Sequence, residues 1–171
     1  MDLDAQTVGR AKQQAYRFLA YRGQTANALR DRLQRRGYTT AVIGEVLRQL
    51  EAEGYIDDRK FALDWARYRL QTKPLGRRRL AWELQRRGVP SELLKEVLRE
   101  VYSEFDEVTL AEQAARKRLG SKELPSSPRD RQRYARHLLS LGFDAETVAT
   151  VLGALCFLNE AQDIMSNGDP C

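Results

Sequence analysis

Residues 29–37 run Leu-Arg-Asp-Arg-Leu-Gln-Arg-Arg-Gly, and related segments return at 80–88, Leu-Ala-Trp-Glu-Leu-Gln-Arg-Arg-Gly, and at 134–142, Tyr-Ala-Arg-His-Leu-Leu-Ser-Leu-Gly. The three segments align on their final glycines, Gly37, Gly88 and Gly142, which lie 51 and 54 residues apart. In each segment the positions eight and four residues before the glycine are apolar, a spacing that places both on one face of an α-helix. Each segment is therefore predicted to be a short amphipathic helix that ends at a glycine in the left-handed conformation.

A second apolar pattern follows each glycine and keeps its register. All positions six, nine, ten and thirteen residues beyond the three glycines are aliphatic: Ile43, Val46, Leu47 and Leu50; Leu94, Val97, Leu98 and Val101; Val148, Val151, Leu152 and Leu155. This spacing is typical of one buried face of a second helix. Agreement of twelve positions at fixed offsets indicates an internal repeat.

A third helix precedes each segment, so the repeat unit has three helices. Its apolar markers are Ala15, Phe18 and Leu19; Phe61, Ala62, Trp65 and Ala66; and Leu110, Ala114 and Ala115. The pattern divides the chain into repeats at 7–54, 55–104 and 105–158, and we expect an acidic, polar and disordered tail at 159–171. Strand-like alternation is absent, and Ser127-Pro128-Arg129-Asp130 has the residues of a helix start. We predict an all-α fold of three tandem three-helix, helix-turn-helix-like repeats that form an elongated, curved array.

Composition narrows the class of protein. The chain has 171 residues, 42% hydrophobic and 31% charged, which suits one domain or a short array with a buried core. The two cysteines, Cys156 and Cys171, lack the spacing of a metal finger or a disulfide framework. No stretch of 18 apolar residues and no basic, apolar leader is present, so we expect a cytoplasmic monomer that does not enter membranes.

The charges are unevenly distributed along the chain. The formal net charge of the chain is +5. Residues 144–171 contain five acidic residues and no Lys or Arg and so carry −5, which leaves a net charge of +10 on residues 1–143. Residues 67–88 alone carry +7, whereas residues 92–107 carry −4. A strongly basic face would attract polyanions or an acidic protein surface, although alternating charge blocks also simply solvate a helical surface.

No recognisable constellation supports catalysis. His137, the only histidine, has no serine, cysteine or carboxylate placed near it by a motif. Asp57 and Asp58 are adjacent acids at a helix start, where they more often cap the helix than bind a metal. Leu75-Gly76-Arg77 lacks the spacing of a phosphate-binding loop. We therefore expect no enzyme activity, no metal and no cofactor.

Three groups of arginines are candidate contacts for a partner or nucleic acid. Arg77, Arg78 and Arg79 lie at the start of a predicted helix, where their charge opposes the helix dipole and the backbone N–H groups could cradle a phosphate or carboxylate. A second group lies in last turns, where the dipole favours positive charge, and consists of Arg35, Arg36, Arg86 and Arg87. A third basic helix carries Arg129, Arg133 and Arg136.

The motifs together resemble the RecX family of recombinase regulators. The most specific stretch is Gly54-Tyr55-Ile56-Asp57-Asp58 with Phe61-Ala62, joined to the Gly76–Gly88 segment and preceded by Leu29-x3-Leu33-x3-Gly37. Gly37, Gly88, Gly142, Tyr55, Asp57, Asp58 and Phe61 would be structural anchors of the repeats. The third repeat is the least faithful, with Tyr134 where the other two have leucine.

The resemblance implies a bacterial protein that binds the RecA filament on single-stranded DNA in its groove. Such a regulator usually inhibits ATP hydrolysis, strand exchange and filament extension, and it would contact the DNA weakly or indirectly. The alternative from the residues alone is a stand-alone DNA-binding protein of helix-turn-helix type. That alternative is weakened because the helices after each glycine carry acids such as Glu45, Glu92 and Glu96.

Overall fold

The computed structural model describes residues 5–21, 23–120 and 127–166, with side chains described as far as Leu155 except that of Tyr21. Within these residues the chain forms helices and no strand. The helices are α1 (Ala5–Tyr21), α2 (Ala26–Arg35), α3 (Thr40–Ala52), α4 (Asp58–Thr72), α5 (Arg77–Gln85), α6 (Ser91–Glu104), α7 (Glu107–Leu119), α8 (Pro128–Ser140) and α9 (Ala145–Ser166). They follow one another as three tandem groups of three, and the all-α fold is confirmed.

The middle helices α2, α5 and α8 end in the same way. The glycines that follow them have positive φ angles, +87° at Gly37, +86° at Gly88 and +90° at Gly142. The residue after each glycine donates its backbone N–H to a carbonyl of the last helical turn, as in the Schellman motif. These bonds join Tyr38 to Leu33 (3.3 Å), Val89 to Leu84 (3.2 Å) and Phe143 to Leu138 (3.3 Å).

The aliphatic positions that define the repeat form the core. Among the twelve of them, all except Leu98 and Leu152 are buried. The apolar residues that end the Schellman turns are buried too in two repeats, since Val89 is 3% and Phe143 0% exposed. The sequence pattern therefore gives the correct face of α3, α6 and α9.

Helix starts are fixed by local side chains. Ser127 caps α8 by accepting the N–H of Asp130 (3.1 Å), and Pro128 occupies the first turn, which confirms the predicted start. Thr25 and Thr39 cap α2 and α3 in the same manner, and Asp106 caps α7. Each cap satisfies an N–H that the helix itself leaves without a partner.

The backbone packs into two compact units whose boundaries differ from those of the repeats. Unit 1 contains residues 1–66 and 83–97, and unit 2 contains residues 67–82 and 98–171. The first repeat lies in unit 1 and the third in unit 2, whereas α4, α5 and α6 contribute residues to both. Each helix of the middle repeat therefore has one part in unit 1 and another part in unit 2.

In unit 1 the turn that ends α5 packs against the first turn of α2. The backbone oxygen of Arg87 accepts a hydrogen bond from Thr25 Oγ1 (2.7 Å), and that of Gly88 accepts one from Asn27 Nδ2 (2.9 Å). A Cβ on Gly88 would lie 2.6 Å from Thr25 Oγ1, so this turn approaches α2 too closely for any side chain.

In unit 2 the turn that ends α8 packs against the first turn of α5. The backbone oxygen of Leu141 accepts the N–H of Gly76 (3.0 Å), and that of Gly142 accepts the N–H of Arg78 (3.2 Å). A Cβ on Gly76 would lie 2.2 Å from the carbonyl carbon of Gly142, so position 76 also requires glycine.

The two junctions are equivalent in register but not in chemistry. Gly76 and Arg78 lie 51 residues after Thr25 and Asn27, which is the spacing between Gly37 and Gly88. In unit 1 the donors are side chains, whereas in unit 2 the corresponding donors are backbone N–H groups. The hydrogen-bond acceptors are thus backbone carbonyl groups at equivalent positions in both junctions, and only the donors differ.

The end of the chain differs from the expectation. Helix α9 extends to Ser166, so residues 159–166 are helical rather than part of an irregular tail. Residues 167–171, and the side chains of Cys156 and Cys171, lie outside the described residues. None of the helices described is both long and apolar enough to cross a bilayer.

Candidate polyanion-binding surfaces

The first turn of α5 is occupied by a carboxylate of the same chain. Glu107, the first residue of α7, accepts the backbone N–H of Arg77 with Oε1 (2.9 Å) and the Nε–H of the same residue with Oε2 (2.6 Å). The N–H of Arg78 is bound to Gly142 and that of Arg79 to the Gly76 oxygen (3.1 Å). The expectation of an open anion cradle at this helix end is therefore corrected, because an internal acid already neutralises it.

The three arginines themselves point to different neighbours. The guanidinium of Arg77 lies 4.5 Å from the ring centroid of Tyr102, whose own pKa is raised, chiefly by burial. That of Arg79 lies 4.5 Å above Trp82, an exposed aromatic residue. Arg78 is exposed, and its charge helps to keep the pKa of Asp144 low, after the hydrogen bonds from Thr147. The sequence grouped these residues by position, and the structure separates their roles.

Unit 1 contains a cleft of about 390 Å³ lined by arginines. The predicted contacts Arg35, Arg86 and Arg87 line it together, and Arg32 joins them one turn before Arg35. Asp31 is its acidic wall residue, and Gln24, Gln85 and Gly88 contribute polar atoms. The predicted contacts on α2 were only the pair beside Gly37, although Arg32 lies on the same helix face as Arg35 at i, i+3 spacing.

Aromatic rings hold several of these cations in place. Arg87 lies 4.3 Å over the ring of Trp65, and Arg32 lies 5.2 Å over that of Phe18. Arg36 shares the Phe18 ring at 5.8 Å and does not line the cleft. Guanidinium groups bind carboxylates and phosphates through pairs of parallel hydrogen bonds, so the concentration of arginines suits the cleft to an anionic group.

Unit 2 contains a larger basic cleft, of about 610 Å³, beside α8. The predicted contacts Arg129, Arg133 and Arg136 line it together with Arg118 and His137. Among its described lining residues the one acid is Asp130, which lies 3.4 Å from Arg133. Arg118 comes from the last turn of α7 and could not be assigned to this site from the sequence, since no motif joins it to α8.

A second cleft of unit 2, of about 570 Å³, shares Arg118 and His137 with the first. Its other basic residues are Arg69, Lys73 and Lys117, and its apolar wall is formed by Pro74, Ala114 and Leu141. Burial lowers the pKa of His137, and the nearby charges of Arg118 and Lys73 lower it further. His137 therefore lies in a positive potential that favours its neutral form.

The residues expected to anchor the repeats have distinct contacts. Asp57 accepts the N–H of Lys60 (2.8 Å) at the start of α4, whereas Asp58 accepts the N–H of Ala26 (2.8 Å) at the start of α2. Burial raises the pKa of Asp58. Tyr55 is exposed and meets the Tyr16 ring edge-on at 5.0 Å. Phe61 lines the cleft of unit 1.

Within the described residues, no group of three or more His, Cys, Asp or Glu side chains could hold a metal ion. The adjacent carboxylates of Asp57 and Asp58 instead serve the first turns of two different helices.

Two family models match the chain. The first three-helix domain of RecX matches residues 11–50, and the second three-helix domain of RecX matches residues 57–98. Both matches fall on the repeats predicted from the sequence, at α1–α3 and α4–α6.

Curated relatives and solved structures agree with these matches. The chain is 31% identical over 146 residues to the regulatory protein RecX of Prosthecochloris aestuarii, covering 85% of this chain and 93% of that protein. It is 34% identical over 148 residues to the regulatory protein RecX of Geobacillus thermodenitrificans, covering 86% of this chain and 55% of that longer protein. The crystal structure of RecX from Lactobacillus salivarius shares the fold, with a TM-score of 0.80 at 19% identity over 90% of this chain and 99% of that one.

Proposed function

Because the chain belongs to the RecX family of regulatory proteins, we propose that it is a modulator, in the inhibitory sense, of the RecA recombinase in the bacterial cytoplasm. It binds in the groove of the RecA filament on single-stranded DNA and limits ATP hydrolysis, strand exchange and filament extension. It acts by binding rather than by catalysis, and it takes part in the regulation of DNA repair and recombination.

The observation that carries this proposal is the family match together with the arginine cleft of unit 1. Four guanidinium groups, from Arg32, Arg35, Arg86 and Arg87, line one cleft, two of them stacked on aromatic rings. Such a cleft suits an acidic protein surface, since charge complementarity steers association and each guanidinium can bind a carboxylate with two hydrogen bonds. Tandem repeats would let several weak contacts act together on neighbouring subunits of a filament.

The alternative, a stand-alone helix-turn-helix DNA-binding protein, has less support. The helices in the position of recognition helices are α3 and α6, and they expose Glu51, Glu92 and Glu96. Another acid of α3, Glu45, is ion-paired with Arg48, which with Gln49 lowers its pKa to about 2. Charged carboxylates on these helices oppose entry into a DNA groove.

The test is the single-stranded-DNA-dependent ATPase rate of RecA while this protein is titrated from well below one molecule per RecA subunit, at two salt concentrations. Inhibition at a substoichiometric ratio is expected, because blocking one filament end or groove affects many subunits. No effect up to an excess, with specific binding to duplex DNA in the absence of RecA, would refute the proposal and favour the alternative.

The contact residues are tested in the same assay. Changing Arg35, Arg86 and Arg87 to Ala together is expected to raise the concentration needed for half-inhibition. Arg77, Arg78 and Arg79 form a second triple variant, which tests their placement in the contact surface. A triple variant that inhibits as well as the parent protein, with the same salt dependence, excludes its three arginines from that surface.

A further inference from the structure

Helices α2 and α5 are followed by turns of identical sequence. The five residues Leu-Gln-Arg-Arg-Gly stand at 33–37 and again at 84–88, and we refer to them as the Gly37 turn and the Gly88 turn. The two turns also have the same conformation, since φ is +87° at Gly37 and +86° at Gly88. In both, the glycine N–H lies 2.9 Å from the carbonyl oxygen of the glutamine three residues before it. Unit 1 therefore contains the same surface element twice.

The Gly88 turn binds the first turn of a helix. The carbonyl oxygen of Arg87 accepts a hydrogen bond from the hydroxyl of Thr25, the N-cap of α2. The carbonyl oxygen of Gly88 accepts one from the amide of Asn27, two residues later. Because a Cβ at position 88 would lie 2.6 Å from Thr25 Oγ1, this contact brings the two segments closer than any side chain at position 88 allows.

The Gly37 turn binds no helix start within the part of the chain that the structure describes. Arg36 and Gly37 are exposed, and no hydrogen bond joins their carbonyl oxygens to the described residues. A Cβ on Gly37 would meet none of the described atoms within 4 Å. The two carbonyl groups that correspond to those of Arg87 and Gly88 are thus accessible to donors from another molecule.

The two arginines of the Gly37 turn are not needed to form the helix end. The turn after α8 has the same conformation, with φ of +90° at Gly142, although Leu-Ser-Leu stands at 139–141 in place of Gln-Arg-Arg. An exposed helix end alone would indicate no ligand, since many helices end at a solvated glycine. The Gly37 turn differs because its whole sequence is the one that binds a helix start elsewhere in the same unit.

The Gly88 turn also indicates which helix starts fit. The first turn of α2 offers it a hydroxyl and an amide as donors, and residues 25–29 carry no charge. Arg35 and Arg36 are both exposed at the Gly37 turn, so an acid in the first turn of a ligand helix would add a charge-assisted contact. Acids are also favoured in that position by the helix dipole.

A second copy of the chain fits less well. The first turns of α2 and α5 already meet the turns that follow α5 and α8, which leaves that of α8 among the middle helices. Residues 128–133 of α8 contain three arginines and one acid, and these would face the two arginines of the Gly37 turn. Like charges across an interface disfavour this pairing.

We propose that the Gly37 turn is a docking surface for the first turn of a helix in the partner protein, bound as the Gly88 turn binds α2. The carbonyl oxygens of Arg36 and Gly37 accept side-chain donors from that turn, and Arg36 attracts an acid within it. The identity of the partner rests on the proposed function, in which it is RecA. This contact is additional to the arginine cleft, since Arg36 and Gly37 do not line the cleft.

The first test compares Gly37→Asn with Gly54→Asn in binding to RecA filaments on single-stranded DNA, measured by co-sedimentation. Both glycines are exposed in unit 1, have φ of +87° and +75°, and would place a Cβ within 4 Å of no described atom. Asn tolerates this conformation. Gly37→Asn is expected to raise the protein concentration at half-saturation about tenfold, because a side chain there would prevent two hydrogen bonds. Gly54→Asn is expected to change it by less than about twofold.

Equal binding by the two variants would overturn the proposal, since only position 37 lies on the surface that resembles the Gly88 turn. Circular dichroism and urea denaturation establish that both variants are folded to the same extent.

A second measurement needs no substitution of a glycine. The photoreactive residue p-benzoylphenylalanine replaces Gln34, an exposed residue of the Gly37 turn, and the protein is irradiated on RecA filaments. Mass spectrometry is expected to place the cross-link in the first turn of a RecA helix that has an acid in that turn. Cross-links confined to other parts of RecA, to the DNA or to a second copy of the chain would overturn the proposal.

Failure of this inference and failure of the proposed function give different results. If Gly37→Asn binds filaments as the parent protein does while the parent inhibits the RecA ATPase, only the inference fails. If binding depends on the Gly37 turn and the ATPase rate is unaffected by the parent protein, only the proposed inhibition fails.

Discussion

At the residue scale, glycines with the same backbone conformation have different surroundings. Gly37 and Gly142 both have φ near +90°, but a Cβ on Gly37 would meet no atom within 4 Å, whereas one on Gly142 would lie 2.3 Å from the backbone nitrogen of Arg79. Glycine is favoured at both positions by the positive φ of the helix end, and the sequence pattern predicts this. At Gly142 glycine is also required by the close approach of another repeat, which the sequence pattern does not predict.

Replacing each of these glycines by alanine therefore gives unequal losses of stability. Gly37→Ala costs only the strain of the left-handed conformation, about 1–2 kcal/mol. Gly142→Ala adds a backbone overlap, worth about 1–3 kcal/mol more. Urea denaturation of the two variants measures the difference in unfolding free energy. Equal losses of unfolding free energy would show that the junction in unit 2 accommodates a methyl group at position 142 without destabilisation.

Asp58 gives a second prediction at this scale. Its Oδ1 accepts the N–H of Ala26, so Asp58→Ala leaves that N–H without its partner and is expected to cost about 1–2 kcal/mol, as loss of an N-cap does. Asp58→Asn keeps an oxygen acceptor and removes a carboxylate whose pKa is raised by burial. It should therefore lower the unfolding free energy less than Asp58→Ala does. The two variants are compared by thermal and urea denaturation. An Asn variant as unstable as the Ala variant would mean that the charge itself is required.

At the element scale, α5 depends on residues far from it in sequence. The helix has nine residues, begins with three arginines and is too short to be stable alone. Its first turn is held by Glu107 of α7 and by the carbonyl of Gly142. The sequence correctly indicated that this helix end needs an anion, but it could not show that the anion is part of the chain, 30 residues away.

Removing that carboxylate tests its role. Glu107→Ala is expected to lower the unfolding free energy by about 1–3 kcal/mol, because it deprives the Arg77 N–H and guanidinium of an acceptor. Glu112→Ala is the matched control on α7, since its pair with Arg116 spans 3.7 Å on the surface and should cost less than about 0.5 kcal/mol. Denaturation in urea compares the two. Similar small losses would show that Glu107 only adds a surface charge pair.

Candidate site residues could be predicted where they share one helix, but not where they come together by packing of separate helices. The sequence placed Arg129, Arg133 and Arg136 on one helix, and all three line one cleft. Arg118 and Lys73 join that region through packing of α7 and the segment after α4. Such contacts depend on how helices dock, and a repeat pattern within one helix carries no information about its neighbour.

At the scale of the whole molecule, the repeat of the sequence and the compact units differ for a physical reason. Helix α5 receives the turn after α8 at its first turn, while the turn that follows α5 packs on α2. Each junction joins the turn after the middle helix of one repeat to the first turn of the middle helix of another repeat. The repeats could thus be predicted from the sequence, because they are local, whereas the units depend on contacts between residues 25 and 87 and between residues 76 and 141.

Stability of the whole chain should depend on pH through His137. The pKa of this group is lower in the folded protein than its ordinary value, so the unfolded chain binds the proton more strongly. Its contribution to stability is therefore fully present above about pH 6.5 and is lost as the pH falls through the lower value of the folded state. Carboxylates with lowered pKa, such as Asp144 and Glu104, lose their contributions only at more acidic pH.

The measurement is the unfolding free energy from urea denaturation at intervals from pH 7.5 to 5.0, for the parent and for His137→Gln. The parent should lose stability below pH 6.5, and the variant should lose less over the same interval, since it lacks the imidazole. Parallel curves for parent and variant would place the acid sensitivity elsewhere and would show that the cations around His137 do not act on its proton.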